Sequence, residues 1–131
     1  MNTLDVRTRS RIEFVDVSAA VKTAIERSGI REGLCHVFVP HTTAGVTINE
    51  AADSDVQRDL AAALEALVPD HGQYQHAEGN SPAHAKATLV GSSVTVPISN
   101  GQLALGTWQG LYFCEFDGPR SRKVHVTVVG A

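Results

Sequence analysis

The chain has 131 residues, of which 43% are hydrophobic and 19% are charged, and its formal net charge is -3. This length and composition predict a single domain over residues 1 to 131 with a real core, and they exclude an intrinsically disordered chain. Because a nucleic-acid backbone requires a basic face, and the one dense basic run covers only residues 120 to 123, we expect no nucleic-acid partner.

Targeting signals and cysteine usage indicate a cytoplasmic protein. The first ten residues contain no apolar segment behind a charged start, and no run approaches the roughly 18 to 20 apolar residues that span a bilayer. We therefore expect neither secretion nor a membrane partner. Cys35 and Cys114 both lie in apolar, strand-like segments, which favours buried reduced thiols, although a disulfide between them is the open alternative.

The first third of the chain predicts two short strands, a helix and a third strand. Residues 3 to 9 alternate between apolar and polar, and residues 12 to 17 suit a second strand that could form a hairpin with the first. A helix follows over residues 18 to 28 and ends at Gly29. Residues 33 to 40 are apolar at nearly every position, which is typical of a central strand covered on both faces or of an oligomer contact.

The remainder predicts one strand, two helices and a strand-rich end. A strand over 44 to 50 precedes a helix that opens at Asp53 and carries leucines at spacings of three and four before Pro69. A polar loop and a short helix from Ser81 to Gly91 follow, and Asn100-Gly101 predicts a hairpin within the last forty residues. The order β-β-α-β-β-α-α-β-β-β-β predicts an α+β fold with a largely antiparallel sheet or sandwich.

The segment HAEGNSPAH, residues 76 to 84, is the strongest candidate site. It places His76, Glu78 and Asn80 in a loop, and then Ser81 as the helix N-cap with Pro82 at the first helical position. His84 then lies in the first turn, where an imidazole can bind a metal or a substrate. The free N–H groups around Asn80 to Ala83, with Gly79 allowing close approach, form a candidate phosphate seat. The alternative is an ordinary capped helix whose His84 packs against a neighbour.

A second candidate is His41, which directly follows the apolar strand and precedes two threonines. Together with His76 and His84 it could hold a divalent metal, Mg²⁺ or Zn²⁺, although the spacing matches no compact metal motif. Glu50 follows on the next strand as a candidate catalytic carboxylate; the alternative is an acidic entry to the helix.

The third cluster lies in GTWQGLYFCEFDGPRSRK, residues 106 to 123. Trp108 offers a flat face for a planar ligand, and Gln109 and Glu115, six residues apart, share a face of a regular strand. Arg120 and Arg122 could clamp a phosphate in the bidentate manner of guanidinium groups. The alternatives are a tryptophan in the core, an arginine in a turn and an arginine on the surface. The chain contains no Walker A, dinucleotide-binding, nucleophile-elbow or C-x-x-C motif.

Four segments together carry a family resemblance: HTTAGVTINE, HAEGNSPAHAKATLVG, SVTVPISNGQLALGTWQG and EFDGPRSRKV. From about residue 11 to 130 the chain resembles the YjbQ-like family, often labelled secondary thiamine-phosphate synthase. Thr43 stands where that family often has serine, and Tyr74 where it often has tryptophan. The resemblance implies a small α+β protein that forms a homotrimer and joins a pyrimidine diphosphate to a thiazole phosphate, releasing diphosphate. The positions it matches are His41, Glu50, His76, Asn80, His84, Trp108, Gln109, Glu115 and Arg120.

The functional expectation is a small enzyme that binds a phosphorylated metabolite and has thiamine-phosphate synthase activity. Its candidate catalytic residues are His76, His84, His41, Glu50 and Glu115, and its candidate substrate-binding residues are Asn80, Ser81, Trp108, Gln109 and Arg120. Two alternatives stay open. One is another metal-dependent enzyme, such as a hydrolase of a phosphorylated metabolite, and the other is a non-enzymatic module that binds a ligand for regulation.

Overall fold

Eight strands and three helices make up the computed structural model, which describes residues 1–71, 74–76 and 79–131. Their order is β1 (Asn2–Arg7), β2 (Glu13–Asp16), α1 (Ser18–Ser28), β3 (Gly33–Phe38), β4 (Ala44–Glu50), α2 (Ser54–Leu67), α3 (Ser81–Val90), β5 (Ser93–Ser99), β6 (Gln102–Leu103), β7 (Gln109–Glu115) and β8 (Ser121–Gly130). This order is the predicted one, and the strand pairs within both sheets are antiparallel. The predicted α+β class is therefore confirmed.

The strands form two sheets, and the predicted hairpin between the first two strands is wrong. One sheet has the order β1-β8-β3-β5-β6 and the other has the order β2-β7-β4. The chain crosses from the first sheet to the second between β1 and β2. There the main chain is held by the β7–β8 turn, because Thr8 N–H donates to the carbonyl of Arg120 and Gly118 N–H donates to the carbonyl of Arg11. These long-range bonds replace a local turn.

Two apolar clusters hold the layers together. The main core lies between the two sheets and includes α1, whose Val21 and Ile25 are almost fully buried. The second cluster lies on the other face of the three-stranded sheet, where Ala83 and Ala87 of α3 pack on Tyr112 and Phe116 with Leu64 of α2 at its edge. Alternating side chains of β7 thus face two different cores, which accounts for its continuous apolar sequence.

Turn and helix signals also match the structure. Asn100 and Gly101 both have positive φ, at 54° and 75°, as the two central residues of a type I′ hairpin between β5 and β6 require. Asp53 is the N-cap of α2, and its side chain accepts from Asp55 N–H at 2.9 Å.

The outer face of the five-stranded sheet is exposed. Strand β3 is central in that sheet, as predicted, but only alternate side chains are buried. Leu34 and Phe38 point outward, and Val129 of β8 lies directly opposite Leu34 in the register. In the part of the chain that the structure describes, no helix has the length and apolar character needed to cross a bilayer.

Candidate functional site

One end of the two sheets and the start of α3 border an open pocket of about 640 Å³. The end of β3 and the segment after it form one wall, the loop before α3 and its first turn form the second, and the β7–β8 turn forms the third. The lining residues are Phe38, Val39, Pro40, His41, Thr42, Thr43, His76, Asn80, His84, Ser92, Asp117, Arg120 and Arg122.

A buried ion pair lies at the base of this pocket. Arg122 is 5% exposed and Glu115 is fully buried. The guanidinium donates from Nε to Glu115 Oε1 at 2.8 Å and from Nη2 to Oε2, and Nη2 also donates to Thr43 Oγ1 at 2.9 Å. Because Glu115 belongs to β7 and Arg122 to β8, the pair joins the two sheets.

Further donors saturate the carboxylate of Glu115. Thr8 Oγ1 donates to Oε1 at 2.7 Å, and Asp117 N–H donates to Oε2 at 3.1 Å. Burial by itself raises the pKa of Glu115, but the hydrogen bonds from Arg122, Thr8 and Asp117 outweigh it and hold the pKa below its ordinary value. With four donors, Glu115 has no lone pair directed at the pocket. Its catalytic assignment stays a prediction, and this geometry favours a role in positioning Arg122.

A second network of hydrogen bonds lies at the rim of the pocket. Arg120 donates from Nε to the carbonyl of Asp117 at 2.7 Å and from Nη2 to Oδ2 of the same residue at 2.8 Å. Asn80 Nδ2 donates to that Oδ2 at 3.0 Å, which fixes the orientation of the amide. Asn80 Oδ1 is consequently turned away from the carboxylate, and it is buried without a hydrogen-bond partner among the described residues. The rim therefore joins α3 to the β7–β8 turn.

His41 has a defined tautomer. Its Nε2 accepts from the main-chain N–H of Lys123 at 2.9 Å, so Nε2 is unprotonated and the neutral ring carries its proton on Nδ1. Burial lowers the pKa of His41, and the nearby Arg122 guanidinium lowers it further. His41 thus presents an Nδ1–H donor at a ring that lines the pocket.

His76 and His84 lie on the opposite wall. Their ring centroids are 5.4 Å apart in an edge-to-face arrangement. The N-cap of α3 is Asn80, one residue before the predicted Ser81, and the carbonyl of Asn80 accepts from the N–H of His84 at 3.3 Å. Pro82 tolerates this shift because the second helical position also needs no N–H donor. Ser81 adjoins the pocket without lining it, and Glu78 lies outside the described residues.

The three histidines do not fit a metal site in this arrangement. Among residues 1–71, 74–76 and 79–131, no group of three histidine, cysteine, aspartate or glutamate side chains is close enough to hold an ion. His41 cannot ligate through Nε2, which accepts from Lys123 N–H. Ligation through Nδ1 would place a proton on Nε2, facing that N–H donor. The metal site expected from the sequence stays a prediction, and we derive no reaction step through a metal.

Glu50, Trp108 and Gln109 lie far from this pocket within one chain. In the β4–β7 register Ala44 pairs with Glu115 at the pocket end, and Glu50 pairs with Gln109 at the other end. Six residues of strand separate the two ends by about 20 Å. Each carboxamide or carboxylate there serves a local turn: Glu50 Oε2 accepts from Ala52 N–H, and Gln109 Oε1 accepts from Gly106 N–H. Trp108 is 64% exposed.

The structure thus brings together His41, His76, Asn80, His84 and Arg120, with Glu115 beneath them. Their roles as site residues stay predictions. Arg122 was predicted as a phosphate clamp, whereas its ion pair with Glu115 and the parts played by Thr8 and Asp117 were not predicted. A signal for Arg122 was present, because it shares a strand face with Val124 and Val126, and a charged residue on a buried face needs a buried partner.

Comparisons with known proteins show which family the chain resembles. The family model described as "UPF0047 protein YjbQ-like" matches residues 2–131. UPF0047 protein YugU of Bacillus subtilis is 44% identical over 131 residues, covering 99% of both chains. UPF0047 protein MJ1081 of Methanocaldococcus jannaschii is 46% identical over 125 residues, covering 95% of this chain and 91% of that protein.

Solved structures agree with the fold. A Clostridium acetobutylicum protein, described as an uncharacterized ortholog of YugU, superposes with a TM-score of 0.97 at 51% identity over 98% of this chain and 100% of its own. A Sulfolobus solfataricus protein of unknown function superposes with a TM-score of 0.95 at 32% identity, covering 99% of this chain and 96% of that one. The chain belongs to the YjbQ-like UPF0047 family, whose activity these relatives leave unestablished.

Proposed function

We propose that the pocket binds the phosphate or diphosphate group of a small metabolite, and that the protein is a cytoplasmic transferase of the thiamine-phosphate synthase type. The observation that carries the proposal is the convergence of fixed donors in one pocket. Arg120 and Arg122 each retain an Nη1 group that makes no hydrogen bond to the described residues, and His41 adds its Nδ1–H.

The two arginines are held in place by their carboxylate partners. Arg122 is anchored by Glu115 below the pocket, and Arg120 by Asp117 at the rim. Guanidinium groups that are already oriented lose little freedom when an anion arrives, and planar guanidinium groups match phosphate oxygens well. Because both charges are balanced by their partners, the pocket is suited to directional hydrogen bonding more than to net electrostatic attraction.

In the proposed reaction, the bond between the pyrimidine methylene carbon and its diphosphate oxygen breaks, and the electron pair leaves with the diphosphate. The thiazole nitrogen supplies the pair for the new carbon–nitrogen bond. Arg120 and Arg122 offset the charge that grows on the leaving oxygen, which is the usual way in which phosphate leaving groups are stabilised. His84, with His76 beside it, serves as the proton donor to that leaving group.

The test is thiamine phosphate formation from pyrimidine diphosphate and thiazole phosphate by the purified protein, followed by chromatography. His84→Ala should lower kcat by about 10² to 10⁴, the range of a lost general acid. His71→Ala, an exposed histidine outside the pocket, is the matched control and should keep the wild-type rate. Equal rates for wild type and His84→Ala would remove His84 from the chemistry, and absence of product from both would overturn the transferase assignment.

We also propose self-association through the outer face of the five-stranded sheet, with the number of three taken from the family resemblance. Leu34, 50% exposed, and Val129, 55% exposed, are cross-strand neighbours on that face. Adjacent exposed apolar side chains favour burial against another copy. Sedimentation equilibrium should give a trimer for wild type and smaller species for Leu34→Glu. A monomeric wild type would overturn the proposal.

A further inference from the structure

A second open cavity of about 370 Å³, the second chamber, adjoins the pocket at His41 and His84. Both cavities are lined by His41, Thr42, His84 and Ser92, so these residues form a waist between them. Beyond the waist, the second chamber is lined by Ala44, Ala87, Thr88 and Gly91. The two cavities therefore adjoin each other along α3 and the segment that joins β3 to β4.

Small residues and main-chain hydrogen bonds define the walls of the second chamber. The carbonyl of Gly91 accepts from Val46 N–H at 3.1 Å, and the carbonyl of Ser92 accepts from Val39 N–H at 2.8 Å. A Cβ atom on Gly45 would come within 2.5 Å of the Gly91 carbonyl oxygen, so β4 can approach this turn only with glycine there. A Cβ atom on Gly91 would meet no heavy atom within 4 Å, consistent with open space at this wall. The chamber is thus pre-formed.

The two chambers differ in their polar side chains. The first contains Arg120, Arg122 and Asp117, whereas the residues that line only the second are two alanines, a glycine and a threonine. Among these four, the side-chain polar atom is the hydroxyl of Thr88, which donates to the carbonyl of His84 at 2.9 Å. The first chamber therefore suits an anion, and the second suits an uncharged group of modest width.

We infer that the ligand is a phosphate or diphosphate ester whose uncharged organic part occupies the second chamber while its phosphate lies in the first. This deepens the proposed function and rests on it. The ester linkage then lies at the waist, beside His84, where a proton donor to the leaving oxygen is needed. A free phosphate ion would fill only one of the two chambers.

The test compares inorganic phosphate with benzyl phosphate, which carries the same anion on a compact ring, by isothermal titration calorimetry. Wild type should bind benzyl phosphate at least tenfold more tightly. Thr88→Phe should fill the second chamber, lower the affinity for benzyl phosphate to that of inorganic phosphate, and leave the inorganic phosphate Kd within twofold. Leu89→Phe, at an exposed neighbour on α3 that does not line the chamber, is the control and should match wild type.

The outcomes separate this inference from the proposed function. Equal affinity of wild type for both probes, or an unchanged preference in Thr88→Phe, would overturn the second chamber alone. No binding of either probe would overturn phosphate recognition and the chamber together. If Thr88→Phe fails to fold, chemical-shift mapping of wild type replaces it: benzyl phosphate should shift the Gly91 amide and inorganic phosphate should not. A Gly91 amide that is insensitive to benzyl phosphate would overturn the chamber.

Discussion

The two ends of the β4–β7 strand pair use polar residues in opposite ways. At the pocket end, Glu115 is fully buried and accepts from Thr8 and from Arg122 of β8, in addition to the nearby N–H of Asp117. At the far end, Glu50 and Gln109 accept from N–H groups within three residues of themselves, and Trp108 is largely exposed. Side-chain contacts between different strands therefore organise the pocket end, whereas the polar side chains at the far end are held within local turns.

The largest difference should appear when each carboxylate is neutralised. Glu115→Gln leaves Arg122 buried without its counter-charge and turns an amide N–H group towards other donors. We expect a loss of about 3 to 5 kcal/mol in the free energy of unfolding, the usual cost of breaking a buried ion pair. Urea unfolding measures it. The matched control Glu50→Gln, at the far end, should lose no more than about 1 kcal/mol; equal losses would erase the contrast between the two ends.

The next effect concerns which nitrogen of His41 acts on a ligand. In His41→Asn the amide nitrogen can take the place of Nδ1, whereas in His41→Gln it can reach only the place of Nε2. Because a hydrogen bond to a charged group contributes about 1.5 to 3 kcal/mol, His41→Gln should weaken pyrophosphate binding roughly 10- to 150-fold. His41→Asn should stay within about threefold on the same scale. Isothermal titration calorimetry measures both pyrophosphate affinities. Weaker binding by His41→Asn than by His41→Gln would mean that Nε2 faces the ligand.

A smaller effect should appear in acid. The pKa of Glu115 is lower in the folded protein than its ordinary value of 4.5, so the folded state holds the carboxylate charged more strongly than the unfolded chain does. Its stabilising contribution is fully present above about pH 4.5 and is lost as the pH falls towards the lower, folded-state pKa. The difference in the free energy of unfolding between wild type and Glu115→Gln should therefore decrease below that pH. A difference that stays constant down to pH 3 would contradict it.

The smallest effect is expected at Trp108. Trp108→Ala should leave the pyrophosphate Kd of the isolated chain within about twofold, because about 20 Å of strand separates residue 108 from the pocket. Calorimetry at several protein concentrations is the measurement. A loss of affinity that appears only where the protein self-associates would show that a second copy brings its far end to this pocket. In that assembly, the far end of one copy and the pocket end of another would form one site.

Much of this arrangement follows from patterns in the sequence. Period-two alternation gave the strands, and asparagine followed by glycine gave the β5–β6 hairpin. The same alternation put Glu115 on the face of β7 that carries Leu111 and Phe113, and Arg122 on the face of β8 that carries Val124. Because these two opposite charges lie on buried strand faces, their ion pair could have been predicted from the sequence.

The rest depends on which strands are neighbours. Glu50 and Glu115 both looked like site residues, and only the antiparallel register of β4 with β7 shows that they belong to opposite ends. Likewise, β1 and β2 looked like a hairpin, but each pairs with a strand more than 90 residues later. The contact between Lys123 N–H and His41 spans 82 residues and depends on a loop conformation that no local pattern encodes.

The contact with Lys123 N–H depends on the main chain of residue 123 and not on its side chain. The proton on His41 is placed by a peptide group, and every amino acid except proline supplies one. Substitutions that change the size or charge of the side chain at position 123 therefore leave the tautomer of His41 unchanged. Only Lys123→Pro would remove the N–H donor. The proton placement at His41 is consequently robust to almost any mutation at residue 123, although that contact is what defines it.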